Sequence, residues 1–350
     1  MKIALNHEKL RYTGRIDTTS PGRPEFIYPA SSLEFAFYGT GAAVKVVNRN
    51  VCWDNYLGII VDGEQSKAPL RKTGSTTVVL ARNLEEKEHR IMVFKRQDSC
   101  HTFALEELEL YGSGEVRRLP ERPRRRIEVY GDSVSAGEVS EALDYVGKAD
   151  PEHQGQYSNS WHSYAWIAAR RLGAQIHDIA QGGIALLDGT GWFCQPGYLG
   201  MESAWDKVHY NPELGKTTDW DFSRYTPHVV VVAIGQNDSH PVDFMKEEPE
   251  GRRARHWKMA YGEWICRIRE KYPRAVIILT TTLLRHDPSW DKAIGEVCGE
   301  LNKKDPDIHH LLYSRNGAAT PGHLRIPEAE EMAGELCEFI ESMPDGIWED

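Results

Sequence analysis

Four short segments of the sequence carry groups suited to acyl transfer. They place Ser133 in GDSVSAGE, Gly182 and Gly183 in AQGGIALLDG, Asn237 in GQND and His323 in PGHLRIPEAEEMA. A hydroxyl, glycine amides, a carboxamide and an imidazole provide a nucleophile, oxyanion donors and a base. Each motif alone is weak, because a Gly-Asp-Ser sequence is usually only a turn and one of 14 histidines is usually structural. Their occurrence together predicts one reaction site.

The elements around these segments are predicted to bring them together. Apolar, β-rich runs predict strands at 127–130, 175–179, 228–234, 275–281 and 309–313, and amphipathic segments predict helices at 160–172, 253–271, 288–302 and 327–342. This alternation is typical of a parallel sheet covered by helices on both faces. The four segments follow the first, second, third and fifth strands. Because ligand sites in such folds lie beyond the carboxyl ends of the strands, we expect the segments to line one cleft.

The first 115 residues have a different pattern, with apolar residues at every second position. Short β-rich runs span 33–39, 43–49, 56–64, 76–83, 89–96 and 103–112, and turn residues separate them. This spacing predicts an all-β sandwich of jelly-roll type. The basic segment RRLPERPRRR that follows is interpreted as a linker. The predicted organisation is a β-sandwich domain at 1–115, a linker at 116–126 and a catalytic domain at 127–350.

Composition limits the partners that the chain is expected to bind. The 350 residues carry a formal net charge of −10, and this acidic balance disfavours nucleic acid and acidic membranes as partners. No apolar run is long enough to span a membrane, and the first residues lack the apolar core of a signal peptide. We therefore expect a cytoplasmic location.

The spacing of cysteine and histidine predicts neither a disulfide nor a metal site. The six cysteines are scattered without a CxxC pair and are expected to be free thiols, namely Cys52, Cys100, Cys194, Cys266, Cys298 and Cys337. The histidines of the catalytic half form no HExxH or similar ligand motif. No Walker sequence or dinucleotide-binding glycine pattern is present either. The predicted reaction therefore uses no metal and no cofactor.

The residues and the order of the four segments resemble the conserved motifs of the SGNH hydrolases, a branch of the GDSL esterases. A jelly-roll domain placed in front looks like carbohydrate esterase family 2. The resemblance implies an α/β three-layer sandwich with a central parallel sheet, and it implies a serine nucleophile at Ser133 with His323 as its general base. The implied oxyanion hole consists of the N–H groups of Ser133 and Gly182 and the side chain of Asn237, with Gly183 as the alternative glycine. Asp132 is interpreted as a residue that ties down the turn.

One position departs from the family pattern. An aspartate usually stands three residues before the histidine, whereas this sequence has Thr320. A hydroxyl cannot stabilise an imidazolium as a carboxylate does. Three substitutes are possible: a main-chain carbonyl, a carboxylate from elsewhere such as Glu328 or Asp287, or the Thr320 hydroxyl itself. The resemblance favours the first, a Ser-His dyad with a backbone carbonyl.

The expected substrate is an acetylated plant oligosaccharide, derived from mannan or xylan. Aromatic residues in the segment 189–212 could stack on a sugar ring, with Trp192 as the first candidate and Trp290, after the fourth strand, as the second. The predicted activity is that of a carboxylic ester hydrolase acting as a carbohydrate acetylesterase. Two alternatives stay open: a lipase or thioesterase on the same fold, and a non-catalytic carbohydrate-binding protein.

Overall fold

Two antiparallel sheets form the N-terminal half of the computed structural model, which describes residues 1–193, 195 and 197–349. Its strands are β1 (Lys2–Ile3), β2 (Arg11–Thr13), β3 (Ile16–Asp17), β4 (Glu25–Phe26), β5 (Ser32–Gly39), β6 (Gly41–Asn50), β7 (Tyr56–Val61), β8 (Glu64–Pro69), β9 (Thr73–Ala81), β10 (Lys87–Lys95), β11 (His101–Tyr111) and β12 (Glu115–Arg117). One sheet has the order β3-β4-β11-β6-β9 with β1 beside β11, and the other has the order β12-β5-β10-β7-β8 with β2 beside β5.

Alternating apolar residues hold these two sheets together. Leu33, Phe35 and Phe37 of β5 point into one core with Val44 and Val46 of β6, which lies in the other sheet. Because side chains alternate along a strand, residues at every second position can fill the space between two sheets. The predicted β-sandwich is confirmed.

The run predicted as one strand at 56–64 is in fact a hairpin. β7 ends at Val61, and Asp62 (φ 50°) and Gly63 (φ 95°) turn the chain into β8. Asp-Gly with positive φ at both residues is the preferred two-residue turn of a hairpin. The Asp-Gly pair was therefore a readable signal for two strands.

A five-stranded parallel sheet forms the centre of the C-terminal half. Its strands, in the spatial order β14-β13-β17-β18-β19, are β14 (Ala174–Ala180), β13 (Arg125–Gly131), β17 (Val229–Ala233), β18 (Val276–Thr280) and β19 (Ile308–His310). The helices are α1 (Ser133–Ala136), α2 (Tyr164–Arg171), α3 (Met201–Ala204), α4 (Phe244–Glu247), α5 (Arg252–Lys271), α6 (Ser289–Asn302) and α7 (Ile326–Glu341). A small hairpin of β15 (Lys207–His209) and β16 (Thr218–Asp219) lies apart from this sheet.

Helices cover both faces of the parallel sheet, as predicted. Along β17, Val230 and Val232 face a core that includes Trp257 and Trp264 of α5. Val229 and Val231 face the opposite core, which α2 and α7 close. Apolar side chains on both faces explain why the strand reads as a continuous run of valines. The fold is therefore a three-layer α/β sandwich preceded by a β-sandwich.

The segment predicted as a linker is shorter than 116–126. β12 pairs with β5 through Glu115–Arg117, and β13 already begins at Arg125. Only residues 118–124 lie between the last strand of one half and the first strand of the other. The arginines suggested a solvated linker over the whole segment, but arginine side chains at a strand end can stay in solvent while their backbone pairs in the sheet.

The expectations about membrane-spanning segments and cysteines can be compared with the structure. Within the described ranges, no helix is both long and apolar enough to cross a membrane. The described cysteines Cys52, Cys100, Cys266, Cys298 and Cys337 are free thiols. Cys194 lies outside the described residues.

A buried ion pair joins the two halves. Arg15, between β2 and β3, places Nη2 3.1 Å from Oε1 of Glu128 on β13, and both side chains are fully buried. Tyr272 donates a hydrogen bond of 2.8 Å to the same carboxylate oxygen. Burial alone would raise the pKa of Glu128, but the positive charge of Arg15 outweighs it and lowers the pKa to about 2. The β-sandwich and the first catalytic strand therefore share one electrostatic contact.

Removing Arg15 should destabilise the protein strongly. In Arg15→Met, the Glu128 carboxylate stays buried without its cation, and such a loss costs about 3–5 kcal/mol. The double variant Arg15→Met/Glu128→Gln should recover part of this loss, because it removes the uncompensated charge. Urea unfolding would measure both effects. The matched control is Arg171→Met, which breaks the exposed pair of Arg171 with Glu330 and should shift the midpoint little. An equal loss in Arg15→Met and the control would refute the role of the buried pair.

Candidate active site

The Ser133 turn follows β13 directly and is built by its neighbours. Ser133 is the first residue of α1, and Oδ1 of Asp132 accepts a hydrogen bond of 2.9 Å from Val134 N–H at the start of that helix. A Cβ on Gly131 would lie 2.0 Å from Ser135 Oγ, so only glycine fits there. The tight strand-to-helix turn fixes the Ser133 hydroxyl at the carboxyl edge of the sheet.

Asp132 also connects this turn to the GQND segment. Its Oδ2 accepts hydrogen bonds from Gln236 Nε2 at 2.7 Å and Asn237 Nδ2 at 3.0 Å. Gln236 in turn accepts a hydrogen bond of 2.6 Å from Thr282, which follows β18. Burial raises the pKa of Asp132 to about 6. The contacts of Asp132 are those of a residue that ties down the turn.

His323 reaches Ser133 from the loop that precedes α7. Its Nε2 lies 2.8 Å from Ser133 Oγ, which is hydrogen-bond distance. Its Nδ1 lies 2.5 Å from Oδ2 of Asp150, and its backbone N–H donates to Oδ1 of the same carboxylate at 2.9 Å. Arg325 Nη2 is also 2.9 Å from Asp150 Oδ1. A serine, a histidine and an aspartate therefore form one connected chain.

The predicted dyad with a main-chain carbonyl is wrong, because the Asp150 carboxylate occupies the Nδ1 side of His323. A carboxylate from elsewhere in the chain takes this place, but it is neither Glu328 nor Asp287, and the Thr320 hydroxyl does not take it either. Thr320 Oγ1 is buried and has no hydrogen-bond partner among the described residues. Glu328 accepts from the N–H of Arg325, directly before α7, and from the N–H of Gly147, whereas Asp287 accepts from Ser289 N–H.

The sequence did not point to Asp150, because this residue lies in a loop 173 residues before His323. The segment DPEHQG around it has no periodic pattern. One local signal existed at Gly322, where a Cβ would lie 2.6 Å from Asp150 Oδ1 and 2.7 Å from Lys148 O. Glycine in front of the histidine lets the Asp150 loop approach the imidazole.

The predicted oxyanion donors converge, but two of them already have partners. The N–H of Ser133 lies in the first turn of α1, where no preceding helical carbonyl can accept it. The N–H of Gly182 donates to Oδ2 of Asp98 at 2.6 Å. The Nδ2 group of Asn237 donates to Asp132 and to the carbonyl of Ile184, both at 3.0 Å. Substrate must therefore replace an internal acceptor to use these donors.

Gly182 fits the expected position better than Gly183. A Cβ on Gly182 would lie 3.7 Å from Ser133 Cβ, whereas a Cβ on Gly183 would lie 2.7 Å from Trp192 Cβ. The first glycine thus faces the nucleophile and the second faces the neighbouring loop.

The β-sandwich supplies part of this site. Asp98 belongs to the loop between β10 and β11, and the next residue, Ser99, donates through Oγ to Ala180 O at the end of β14 at 3.0 Å. On the other side of the loop, the buried Lys95 ammonium donates to Gln97 O at 2.8 Å. These contacts place the carboxylate of Asp98, from the β-sandwich, within hydrogen-bond distance of the Gly182 N–H in the second domain. Sequence patterns within one domain could not reveal it.

Glu138 adds another carboxylate beside the imidazole. Its Oε2 lies 3.9 Å from His323 Nε2 and 2.7 Å from the position of a Cβ on Gly182. Burial raises the pKa of Glu138 to about 7. Burial also lowers the pKa of His323, but Glu138 and then Asp150 outweigh it and raise this pKa to about 9. The imidazolium form is therefore strongly favoured while both carboxylates are charged.

The two predicted substrate tryptophans have different environments. Trp192 is 65% exposed and stacks on His240, with ring centroids 4.0 Å apart. Trp290 is fully buried, packs against Trp257 and donates through Nε1 to Asp243 at 3.0 Å. The prediction for Trp290 is wrong, because α6 turns its side chain into the core.

Another aromatic side chain, Trp53 of the β-sandwich, lines the cleft next to Glu138 and Asp98. It is 40% exposed, and its ring stacks on His153 with centroids 4.9 Å apart. Sequence analysis missed it because it lies in a loop of the other domain. Over the part of the chain that the structure describes, no group of three or more His, Cys, Asp or Glu side chains could hold a metal ion.

Comparison with known proteins identifies related esterases. Residues 12–120 match the family model for the carbohydrate esterase 2 N-terminal domain. Over 318 residues, which are 88% of this chain, the sequence is 32% identical to the cellulase/esterase CelE of Acetivibrio thermocellus, and the chain spans 36% of the length of that protein. It is 26% identical over 279 residues to an acetylxylan esterase/glucomannan deacetylase of Cellvibrio japonicus, with 79% of this chain and 72% of that protein covered.

A solved structure shows the same relationship. A family two carbohydrate esterase from Clostridium thermocellum, in complex with cellohexaose, matches with a TM-score of 0.78 and 27% identity over 95% of this chain and 98% of that chain. The parallel sheet and the order of its motifs define an SGNH-type hydrolase domain behind a β-sandwich. Together with the family model for residues 12–120 and the sequence relatives, they support the assignment of the chain to carbohydrate esterase family 2.

Asp150→Asn should lower the rate of hydrolysis of 4-nitrophenyl acetate far more than Thr320→Ala. The amide of asparagine cannot stabilise the imidazolium, and losing the acid of a triad costs roughly 10⁴-fold in kcat. Thr320→Ala removes a hydroxyl without a partner and should keep most activity. Steady-state kinetics of both variants, with His323→Ala as the inactive reference, would measure the difference. Similar kcat values for Asp150→Asn and the wild type would rule out the triad.

The pH profile should depend on Glu138. The base works only as a neutral imidazole, so kcat/KM should rise with pH as His323 loses its proton, around pH 9 by its pKa. Glu138→Gln removes one of the two negative charges that raise this pKa, so the acid limb should move to lower pH. Profiles of kcat/KM for 4-nitrophenyl acetate would show the shift. If the acid limb of the profile stays at the same pH in Glu138→Gln, the Glu138 carboxylate does not raise the pKa of His323.

Proposed function

We propose that the protein is a serine esterase that removes O-acetyl groups from plant hemicellulose oligosaccharides. The observation that carries this proposal is the chain from Ser133 Oγ through His323, at 2.8 Å, to the Asp150 carboxylate, at 2.5 Å. A base within hydrogen-bond reach of a nucleophile, held by a third group, is the arrangement that activates a serine. The assignment to carbohydrate esterase family 2 supports the same reaction class.

The proposed reaction has two steps through an acetyl-enzyme. Ser133 Oγ attacks the acetyl carbon while its proton moves to His323 Nε2. The tetrahedral intermediate collapses, and the sugar oxygen leaves with the proton from His323. Water then attacks the acetyl-enzyme, gives a proton to the same nitrogen and releases acetate, after which Ser133 recovers its proton. Asp150 keeps the imidazole oriented and stabilises its positive charge throughout.

The N–H groups of Ser133 and Gly182 and the side chain of Asn237 would bind the developing oxyanion. For Gly182, the carbonyl oxygen of the ester would take the place that Asp98 occupies in the free protein. Losing one oxyanion donor costs about 10²- to 10³-fold in kcat. The Gly182 N–H binds the negatively charged oxygen of the transition state more strongly than the neutral carbonyl of the ester, so replacing Asp98 by this oxygen stabilises the transition state most. The same exchange would bring the β-sandwich loop into every catalytic cycle.

A carbohydrate is the alcohol that best suits the cleft. Exposed aromatic rings at Trp192 and Trp53 offer flat faces for the apolar side of a sugar ring. The carboxylates of Glu138 and Asp98, next to Trp53, suit the hydroxyl groups of a sugar as acceptors. The names of the two sequence relatives, an acetylxylan esterase/glucomannan deacetylase and a cellulase/esterase, agree with acetylated xylan or mannan oligomers as substrates.

Acetate release from acetylated xylan and glucomannan oligosaccharides would test the proposal. The wild type should release acetate, and Ser133→Ala should release none, because no other group can form the acetyl-enzyme. Ser113→Ala, which removes an exposed hydroxyl in a turn of the β-sandwich, is the matched control and should keep full activity. Hydrolysis of 4-nitrophenyl acetate without release from either oligosaccharide would reject the carbohydrate substrate but keep the esterase.

A further inference from the structure

Glu138 is a largely enclosed carboxylate that has no hydrogen-bond donor among the described residues. Its side chain is 17% exposed, and no described residue donates a hydrogen bond to it. The neighbouring carboxylates differ: Asp98 accepts from Gly182 and Cys100, and Asp150 accepts from His323. Burying an acceptor without a donor costs free energy, so such a group usually serves a ligand.

The position of Glu138 is fixed relative to the nucleophile. Gly137, in the left-handed region at φ 73°, ends α1, and Glu138 N–H then donates to Ser133 O at 2.9 Å. The side chain lies in a narrow cleft between the domains, with Trp53, Asp98 and Ser158 around it. The backbone of Glu138 is thus fixed relative to Ser133, and the carboxylate lies beside His323.

Glu138 lies within reach of the place that the leaving alcohol oxygen of an ester must occupy. His323 Nε2 gives its proton to the leaving oxygen, which therefore comes within roughly 3 Å of that nitrogen. Glu138 Oε2 is 3.9 Å from the same nitrogen. A hydroxyl one or two carbons away from the ester oxygen can then place its proton on Oε2 within ordinary hydrogen-bond distance.

We propose that Glu138 is a specificity-determining residue that accepts a hydrogen bond from a hydroxyl close to the esterified oxygen. The substrate class is then the partial esters of polyols, in preference to esters of simple alcohols or fully substituted polyols. The inference rests on the proposed esterase activity and adds to it the feature of the alcohol that the site recognises. The bound hydroxyl gives this largely enclosed carboxylate a donor, which none of the described residues provides.

The test compares two esters that differ only in free hydroxyls, glycerol 1-monoacetate and 2,3-dimethoxypropyl acetate. The wild type should have the higher kcat/KM for the glycerol ester. Glu138→Leu should lower the ratio of the two values about tenfold or more, because a hydrogen bond to a charged acceptor is lost. Glu138→Gln, which keeps the shape and a neutral acceptor, should give an intermediate ratio.

Taking the ratio at one fixed pH removes other effects of Glu138. A changed pKa of His323 acts on both esters equally and therefore cancels in their ratio. A steric penalty on the methyl groups falls on the dimethoxy ester alone, so the test compares the ratio between variants. Glu263→Gln, an exposed carboxylate on α5, is the control and should leave the ratio at the wild-type value. Equal ratios in the wild type, Glu138→Gln and Glu138→Leu would overturn this inference alone. Failure of the wild type to hydrolyse either ester or 4-nitrophenyl acetate would overturn the esterase as well.

Discussion

The buried carboxylate of Asp132 is the constraint on which the site depends. It receives hydrogen bonds from the turn that carries Ser133, from Gln236 and from Asn237, so it connects the ends of two adjacent parallel strands, β13 and β17. Gln236 extends the connection to the end of β18 through Thr282. Since a parallel sheet brings all its carboxyl ends to one edge, one acceptor there can organise residues that are far apart in sequence. Ser133, the proposed nucleophile, and Asn237, a predicted oxyanion donor, are thus positioned by the same side chain.

The β-sandwich is a structural part of the catalytic half. The buried Arg15–Glu128 pair fixes it to β13, and the loop after β10 fixes it to the end of β14 through Ser99. These two contacts are made to neighbouring strands of the same sheet, so the first domain has a defined orientation at the cleft. Asp98 and Trp53 reach the site because of that orientation. A change in the sandwich can therefore alter the cleft without any contact with Ser133.

Much of this arrangement could be predicted from sequence, and the reason is that it is local. Strand period, helix period and the residues directly after each strand lie within short segments, so the sheet and the convergence of Ser133, Gly182, Asn237 and His323 were readable. Asp150 and Asp98 were not, because each comes from a loop whose contact with the site is set only by tertiary packing. The Trp290 prediction failed for a related reason. Its place after a strand suggested the mouth of the cleft, but the direction of its side chain is decided by the packing of α6 against Phe244 and Trp257.

Charge in the cleft also limits which acyl esters fit. The carboxylates around His323 differ in their surroundings: Asp150 is held charged by His323 and Arg325, whereas burial raises the pKa of Glu138 to about 7 and that of Asp132 to about 6. Environments that move the pKa values of neighbouring groups apart allow acid and base roles in one site. The same groups are poor neighbours for an apolar alcohol, since such an alcohol would cover Glu138 and Asp98 without offering a donor. A hydroxyl-rich alcohol supplies such donors, which agrees with the carbohydrate substrate proposed for the site.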